Sequence, residues 1–414
     1  MNSAALLRLI ILVACAHGLV HIYEQSLPSI EQNIAAEFYG DDVSAGKAMT
    51  GMMSNSWRFT WGMGALVAGW LVDRFGGRRM LAIYLFGCSA MCGVLVICQS
   101  PAALFAVMLL MGAFASIYHP AGLALLSHHT RPDNRPRALG LHGVLGSVGI
   151  GAAPLIAWLT LKLGGNWRSY YVVLAIPGIL LGCYFAWTSY RDGEGQQQRA
   201  ETPVAIEDAQ ARWGSFFLLA LVSALQGFIY SAILSFLPRF LSTGDDGSLL
   251  FSLLQRCGLV DAQHHIDGRF LASLVLWCGC LGQYLAGRLA QPRILERQMA
   301  FVFLGIVPFL LWMAIAEGTN RIIAAALFAT IHFMHQPIYS SLIAKYSPPH
   351  RRSLCYGFSF AMGLGVGSFG ASFNGFSPSD TVTYSTLAGI AIAAGTLTIL
   401  LASLNAPPPA TEAK

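Results

Sequence analysis

Histidines, a glutamate and an arginine sit inside stretches of this chain that are otherwise apolar, and they are the residues with chemistry to offer. In "HGLVHIYEQSLP" (17–28), a helix turning about 100° per residue places His17, His21, Glu24 and Pro28 within one narrow arc, with Tyr23 nearly opposite. Arg58, in "SNSWRFTWG", shares a face with Asn55 one turn away. The same spacing aligns Gly112, Ser116 and His119, then Ser223, Gln226 and Tyr230, then His332, His335 and Tyr339. Imidazoles titrate near neutral pH and can carry protons, and pairs one turn apart, His17/His21 and His332/His335, can chelate a metal. A guanidinium stays charged, so Arg58 either pairs with Glu24 or attracts an anion, and the two roles can alternate. A fixed arginine repels a bare cation, so no metal site is expected, and an anionic or metal-chelating organic ligand ranks above a metal ion. His119 and His335 precede prolines, where carbonyls freed by a kink offer an imidazole a structural role instead.

Holding such groups takes elements that suit hydrocarbon. Of 414 residues, 55% are hydrophobic and only 11% charged, against roughly 25% charged in an average soluble protein. The 43 glycines point the same way. The fold class is an all-α polytopic membrane protein. The net charge of +5 is small and its basic residues cluster in loops, so nucleic acid is not implied. Nine cysteines, almost all in apolar runs, show neither a disulfide framework nor zinc spacing. The first apolar stretch lacks a small-residue cleavage site and reads as a retained helix.

A span takes about 20 apolar residues. Candidates lie near 7–30, 49–72, 79–99, 101–128, 137–161 and 168–190, then near 213–240, 269–290, 298–316, 320–345, 352–375 and 381–404. These twelve form an N-terminal half (1–190) and a C-terminal half (213–404). Between them, "RDGEGQQQRAETPVAIEDAQAR" (191–212) is a charged, Gln-rich cytoplasmic linker, and 405–414 is a short cytoplasmic tail. An even count puts both termini on one side. Loops on that side hold Arg74, Arg78, Arg79, Arg131, Arg135, Arg137, Arg288, Arg293, Arg297, Lys345, Arg351 and Arg352, which makes it cytoplasmic, across an inner membrane. His17, His21 and Arg58 then lie near mid-membrane, and Glu24 nearer the outer side. His142, aligned with Gly146, Gly149 and Ala153, lies near the cytoplasmic end, where water would satisfy it. The outer loop 241–268 is expected to cap the mouth, with His264, His265, Asp261 and Asp267 forming a solvated surface.

The halves also repeat. Shifted by the 217 residues that separate Pro120 from Pro337, Pro132 falls on Pro349, Arg135 on Arg352, Gly140 on Gly357 and Gly146 on Gly363. Parallel repeats of this kind belong to transporters whose site lies between the halves. The loop "GWLVDRFGGRR", with Gly69, Asp73, Arg74, Gly76, Arg78 and Arg79, resembles the loop 2–3 signature of the major facilitator superfamily. That resemblance implies the major facilitator fold, a cytoplasmic gate latch at these residues, and a central cavity lined by spans 1, 4, 7 and 10. "GQYLAGRLAQPR" is a degenerate second copy, in which Gly287 replaces the aspartate. Gly140, Gly149, Ala153 and Pro154 resemble the superfamily's antiporter motif, with alanine at the penultimate place; small residues there let helices pack closely. His17, His21, Tyr23 and Pro28, with Tyr118-His119-Pro120-Ala121-Gly122, resemble the fosmidomycin-resistance-type exporters. Their aspartate is His21 here, and their glutamate is Ala121.

The expected function is secondary active transport of a small, anionic or metal-chelating organic solute by alternating access, coupled to protons. The pathway would comprise His17, His21, Glu24, Arg58, His119, Gln226, Tyr230, His332 and His335. Export is slightly favoured; the alternatives are proton-symport uptake of a siderophore-like chelate or other solute and, more remotely, metal-ion transport. The expected partners are the solute, protons and the lipid bilayer, with no cofactor, in a monomer. No His-Glu-x-x-His motif or nucleophile elbow supports an enzyme. The two-fold repeat and gate-type loop disfavour a channel.

Overall fold

The computed structural model describes residues 3–130, 135–191, 212–260, 264–348 and 351–405. The expected linker and tail lie almost wholly outside the described residues, as does Asp261. The first half comprises α1 (Ser3–Glu24), α2 (Ser26–Tyr39), α3 (Val43–Phe75), α4 (Gly77–Ile97), α5 (Pro101–Ala115), α6 (Tyr118–His129), α7 (Arg135–Lys162) and α8 (Trp167–Arg191). After residue 212 come α9 (Trp213–Leu234), α10 (Leu237–Leu241), α11 (Leu249–Arg256), α12 (Gly268–Leu289), α13 (Leu295–Ile315), α14 (Asn320–His332) and α15 (His335–Tyr346). The chain ends with α16 (Arg352–Phe360), a π-turn (Ala361–Gly365), α17 (Phe369–Phe376) and α18 (Asp380–Leu404).

Among the described residues, eleven helical stretches are long and apolar enough to cross a membrane. The expected span 49–72 is the one missing from that set. It lies in α3, whose 33 residues reach about 50 Å at 1.5 Å per residue, ample for a bilayer. Asn55, Arg58 and several serines and threonines dilute its apolar character. The first span is longer than expected, running from Ala4 to Tyr39. Large apolar side chains such as Trp70, Ile176, Leu180 and Phe301 face outward, as contact with lipid chains requires.

Among the described residues, a non-helical turn breaks four spans internally: between α1 and α2 at Gln25, α5 and α6 at Ser116–Ile117, α9 and α10 at Ser235–Phe236, and α14 and α15 at Phe333–Met334; the span holding α16 and α17 stays helical through its π-turn. The cause is local. Pro28, Pro120, Pro238 and Pro337 each lack an N–H and crowd the carbonyl four residues back, which is that of Glu24, Ser116, Leu234 and Phe333. The broken spans are the first, fourth, seventh and tenth in the expected numbering.

Glycines set the closest helix crossings. A Cβ on Gly149 would collide with the main chain of Gly18, and one on Gly146 with the His17 ring, so α7 lies directly against α1. In the later half Gly227 meets Gly363 in the same way, joining α9 to the π-turn. Apolar cores form within each half, one around Tyr23, Trp57, Trp61, Tyr84 and Tyr118, others around Phe240, Phe328, Tyr384 and around Phe303 and Tyr346. Between them, α3 packs on α17 and α7 on α12.

The loop after α10 departs from an all-helical fold. Strands β1 (Thr243–Gly244) and β2 (His265–Ile266) pair antiparallel, and α11 buries Phe251. Asp246 accepts the Thr319 N–H at 2.7 Å and its hydroxyl at 2.9 Å, tying this loop to the start of α14. Despite some desolvation, these bonds and those from Ser248 hold its carboxyl well below the usual carboxylate range. Asp267 caps α12 by accepting the Arg269 N–H at 2.9 Å.

Candidate functional site

The break after Glu24 leaves its side chain at the last residue of α1, and three donors converge on the carboxylate. Arg58 Nε reaches Oε1 at 3.2 Å, the Tyr230 hydroxyl donates to the same oxygen at 2.9 Å, and His21 Nδ1 lies 2.9 Å from Oε2. Glu24 and Arg58 are both buried, with side chains 0% and 1% exposed. Of the two roles open to Arg58, the ion pair is the one formed. Yet the guanidinium is not saturated: Nη1 donates to Ser235 Oγ at 2.8 Å, whereas the buried Nη2 has no partner among the described residues. Gln25 Nε2 and the indole nitrogens of Trp57 and Trp61 are likewise buried without acceptors. An unmet N–H on a permanent cation suits an anion.

Two residues of the later half, Tyr230 and Ser235, complete this network, so the pair lies at the junction of the halves. Other links lie toward the same end. Arg239 on α10 holds Glu31 on α2 through two bonds of 2.7 and 2.8 Å. Arg269 donates to the Ser29 carbonyl at 2.9 Å and bonds Asn33. Ser368 donates to Asn55 at 2.6 Å.

Imidazoles form two groups. His17 stacks on His142 with ring centroids 3.9 Å apart, and lies 4.9 Å from His21 and 5.3 Å from His119. The Tyr118 hydroxyl donates to the Val13 carbonyl at 2.9 Å, so it accepts from His142 Nε2 at 2.8 Å. Gly146, where a Cβ would strike the His17 ring, makes room for this stack. Across the junction, Gln226 lies 3.3 Å from His332 Nε2, and the Tyr230 ring is stacked 6.4 Å from His332. Tyr230 therefore touches both Glu24 and the second histidine group. His335 Nδ1 binds the His332 carbonyl at 2.6 Å, the kink-associated role open to it, but His119 Nε2 is buried without a partner.

Several expectations need revision. His142 does not face water: it is buried, with its ring between His17 and the Tyr118 hydroxyl. Of the antiporter-like glycines, Gly140 meets no neighbour within 4 Å among the described residues, unlike Gly149, and Gly69 of the gate loop is equally open. Pro154 lies within α7 (Arg135–Lys162), as a proline able to bend a span would. In the gate loop, Gly76 joins α3 to α4 at φ +91°, a left-handed conformation that glycine tolerates best. Asp73 is exposed and has no ion-pair partner among the described residues. Arg74 lies over the Trp70 and Phe75 rings, both at 5.7 Å, and Arg78 is half-buried. Sequence reasoning missed Gln25 and Ser235, and named Tyr118 only within the exporter-like run, not as a partner of His142.

A membrane-embedded bundle with charge buried where its halves meet is the architecture of a solute carrier, and comparison with known proteins agrees. The chain belongs to the Major Facilitator Superfamily, whose family model matches residues 27–372. Puromycin resistance protein pur8 of Streptomyces alboniger is 30% identical over 175 residues, covering 38% of this chain and 34% of that protein. The probable galactarate/D-glucarate transporter GudP of Bacillus subtilis (strain 168) is 26% identical over 165 residues, covering 38% and 36%. The chain thus spans about a third of the length of the curated relatives it matches. The crystal structure of the peptide transporter POT in complex with sulfate shares the fold, with a TM-score of 0.73 at 14% identity, covering 96% of this chain and 94% of that one.

Proposed function

We propose that the protein is a twelve-span secondary active transporter with both termini cytoplasmic, acting as a monomer in the inner membrane. Its cargo is a small anionic or metal-chelating organic solute, and transport is coupled to protons. The observation that carries this reading is the Glu24 carboxylate, held by Arg58 from its own half and by Tyr230 from the other. Protonating Glu24 weakens both contacts and frees Arg58 for an anion; binding the anion and re-ionising Glu24 compete for the same cation. Such competition couples two fluxes when each conformation has a different affinity for each partner. In this orientation the contacts through Glu31, Arg239 and Arg269 close the outer side, and Asp73 pairs with no cation among the described residues, which fits an inward-facing state.

Export is slightly favoured by the resemblance to fosmidomycin-resistance-type exporters, by the partial antiporter motif, and by the similarity to a puromycin resistance protein. Uptake of an organic acid or metal chelate by proton symport is the second reading, favoured by the unpartnered Arg58 Nη2 and by the similarity to a sugar-acid transporter. Proteoliposomes loaded with a pH-sensitive dye and offered D-glucarate or puromycin test both. One of the probes is expected to move protons with it. Glu24→Gln should retain binding, seen as a thermal shift, while losing dependence on the pH gradient. Undiminished gradient-driven flux in that variant would refute the coupling.

A further inference from the structure

We propose that His17, His21 and His119 form a binding site for one divalent transition-metal ion of the zinc and cobalt class. The ion enters either bare or as the centre of a chelate. This deepens the transport reading, on which it rests for its role as cargo. One ring nitrogen from each histidine lies within 4.8 Å of the others. Three imidazole nitrogens around a tetrahedral ion stand roughly 3.4 Å apart at ordinary zinc–nitrogen bond lengths, so a modest contraction completes the set.

The hydrogen bonds assign the nitrogens. His17 Nδ1 faces the His142 carbonyl at 2.8 Å, which can only accept, so this nitrogen carries the proton and Nε2 keeps its lone pair. His21 Nδ1 faces a carboxylate that already takes donors from Arg58 and Tyr230, so it too is protonated and its Nε2 is free. His119 Nε2 is buried with no hydrogen-bond partner among the described residues. Metal-bound histidines are oriented in this way, with the far nitrogen donating to a carbonyl or carboxylate. Trp61 and Phe360, with ring centroids 5.7 and 4.8 Å from that of His119, wall the cluster, while His21 and His119 keep partial exposure. The objection from Arg58 weakens in three dimensions. Its Nε bonds Oε1 of Glu24, whereas His21 takes Oε2, so the carboxylate stands between guanidinium and imidazoles.

The test is a titration of chelator-stripped, tag-free protein in detergent with Co²⁺ alone. The unaltered protein should take up one equivalent, show the visible bands of a four-coordinate ion, and release it to Zn²⁺. His21→Ala and His119→Ala should each weaken binding at least about tenfold. Replacing the remote pair His128 and His129 by alanine should change nothing. Glu24→Gln, which keeps all three imidazoles, should weaken it about 10–100-fold. Cobalt citrate titrated into Arg58→Ala separates the sources: a chelate loses affinity there and the bare ion does not. Failure of the unaltered protein to bind one equivalent, or binding indifferent to His21→Ala and His119→Ala, overturns the proposal without any transport measurement. Failure of metal-free glucarate and puromycin flux would strike the transport reading alone.

Discussion

Arg239→Gln tests whether the contacts between halves govern the conformational equilibrium. Arg239 grips Glu31 in a two-bonded pair whose carboxylate is 1% exposed and whose guanidinium is 24% exposed. Removing one partner from a fully buried pair costs about 3–5 kcal/mol, and from an exposed pair about 0–1 kcal/mol. With one partner buried and the other a quarter exposed, about 2 kcal/mol is expected. That loss falls only on the state in which α2 and α10 touch, so the opposite state should gain roughly thirtyfold in population. Nitroxide labels at Asp41 and Pro378, both exposed at this end, report it by pulsed electron resonance in nanodiscs once exposed Cys183 and Cys257 are replaced. The longer-distance population should grow in Arg239→Gln and partly revert in Arg239→Lys, which keeps the charge without the fork. If the variant's distribution superimposes on the parent's in a sample where the parent populates both distances, the pair does not hold the halves.

Three further outcomes are expected. Gly149→Val should lower thermal stability by about 1–3 kcal/mol or more by forcing α7 off the Gly18 main chain, whereas Gly140→Val, facing open space, should leave the melting temperature unchanged. Asp73→Asn should not alter stability of this conformation, since Asp73 has no ion pair among the described residues, but should slow gradient-driven flux in proteoliposomes if the latch forms in the other state. The Asp246 carboxyl lies below its ordinary range in the folded loop. Its contribution is therefore present above the unfolded value of about 3.9 and lost as pH falls through the lower folded one. Hydrogen exchange at the Thr319 amide should stay slow down to about pH 4 and quicken only below it, whereas Asp246→Ala should exchange fast throughout.

Periodicity made a good part of the arrangement legible. Residues three or four apart on an apolar helix share a face whatever the tertiary fold, so His17, His21 and Glu24 could be grouped before any neighbour was known. The prolines at 28, 120, 238 and 337 act within four residues, and their consequence is local too. What escaped depends on distant pairings. His142 gave no sign of its burial because its partners, His17 and Tyr118, lie 125 and 24 residues away. The Glu31–Arg239 pair spans 208 residues. Gly69 and Gly149 look alike in sequence, and only the position of a second helix makes one a contact and the other not. For α3, the polar residues of the candidate site themselves lower the apolar signal by which a span is recognised.

The four proline breaks also bear on the mechanics of the bundle. A continuous helix resists bending along its whole length, but a rod lacking a hydrogen bond is compliant at one point. In this protein the compliant points adjoin Glu24, His119, Ser235 and His332, the groups gathered around the junction. Pulling those side chains together therefore bends the backbone where it is weakest, and bending the backbone moves those side chains first. Site geometry and helix shape become a single mechanical coordinate, so a ligand can close around itself with small local rotations before either half has to move as a body.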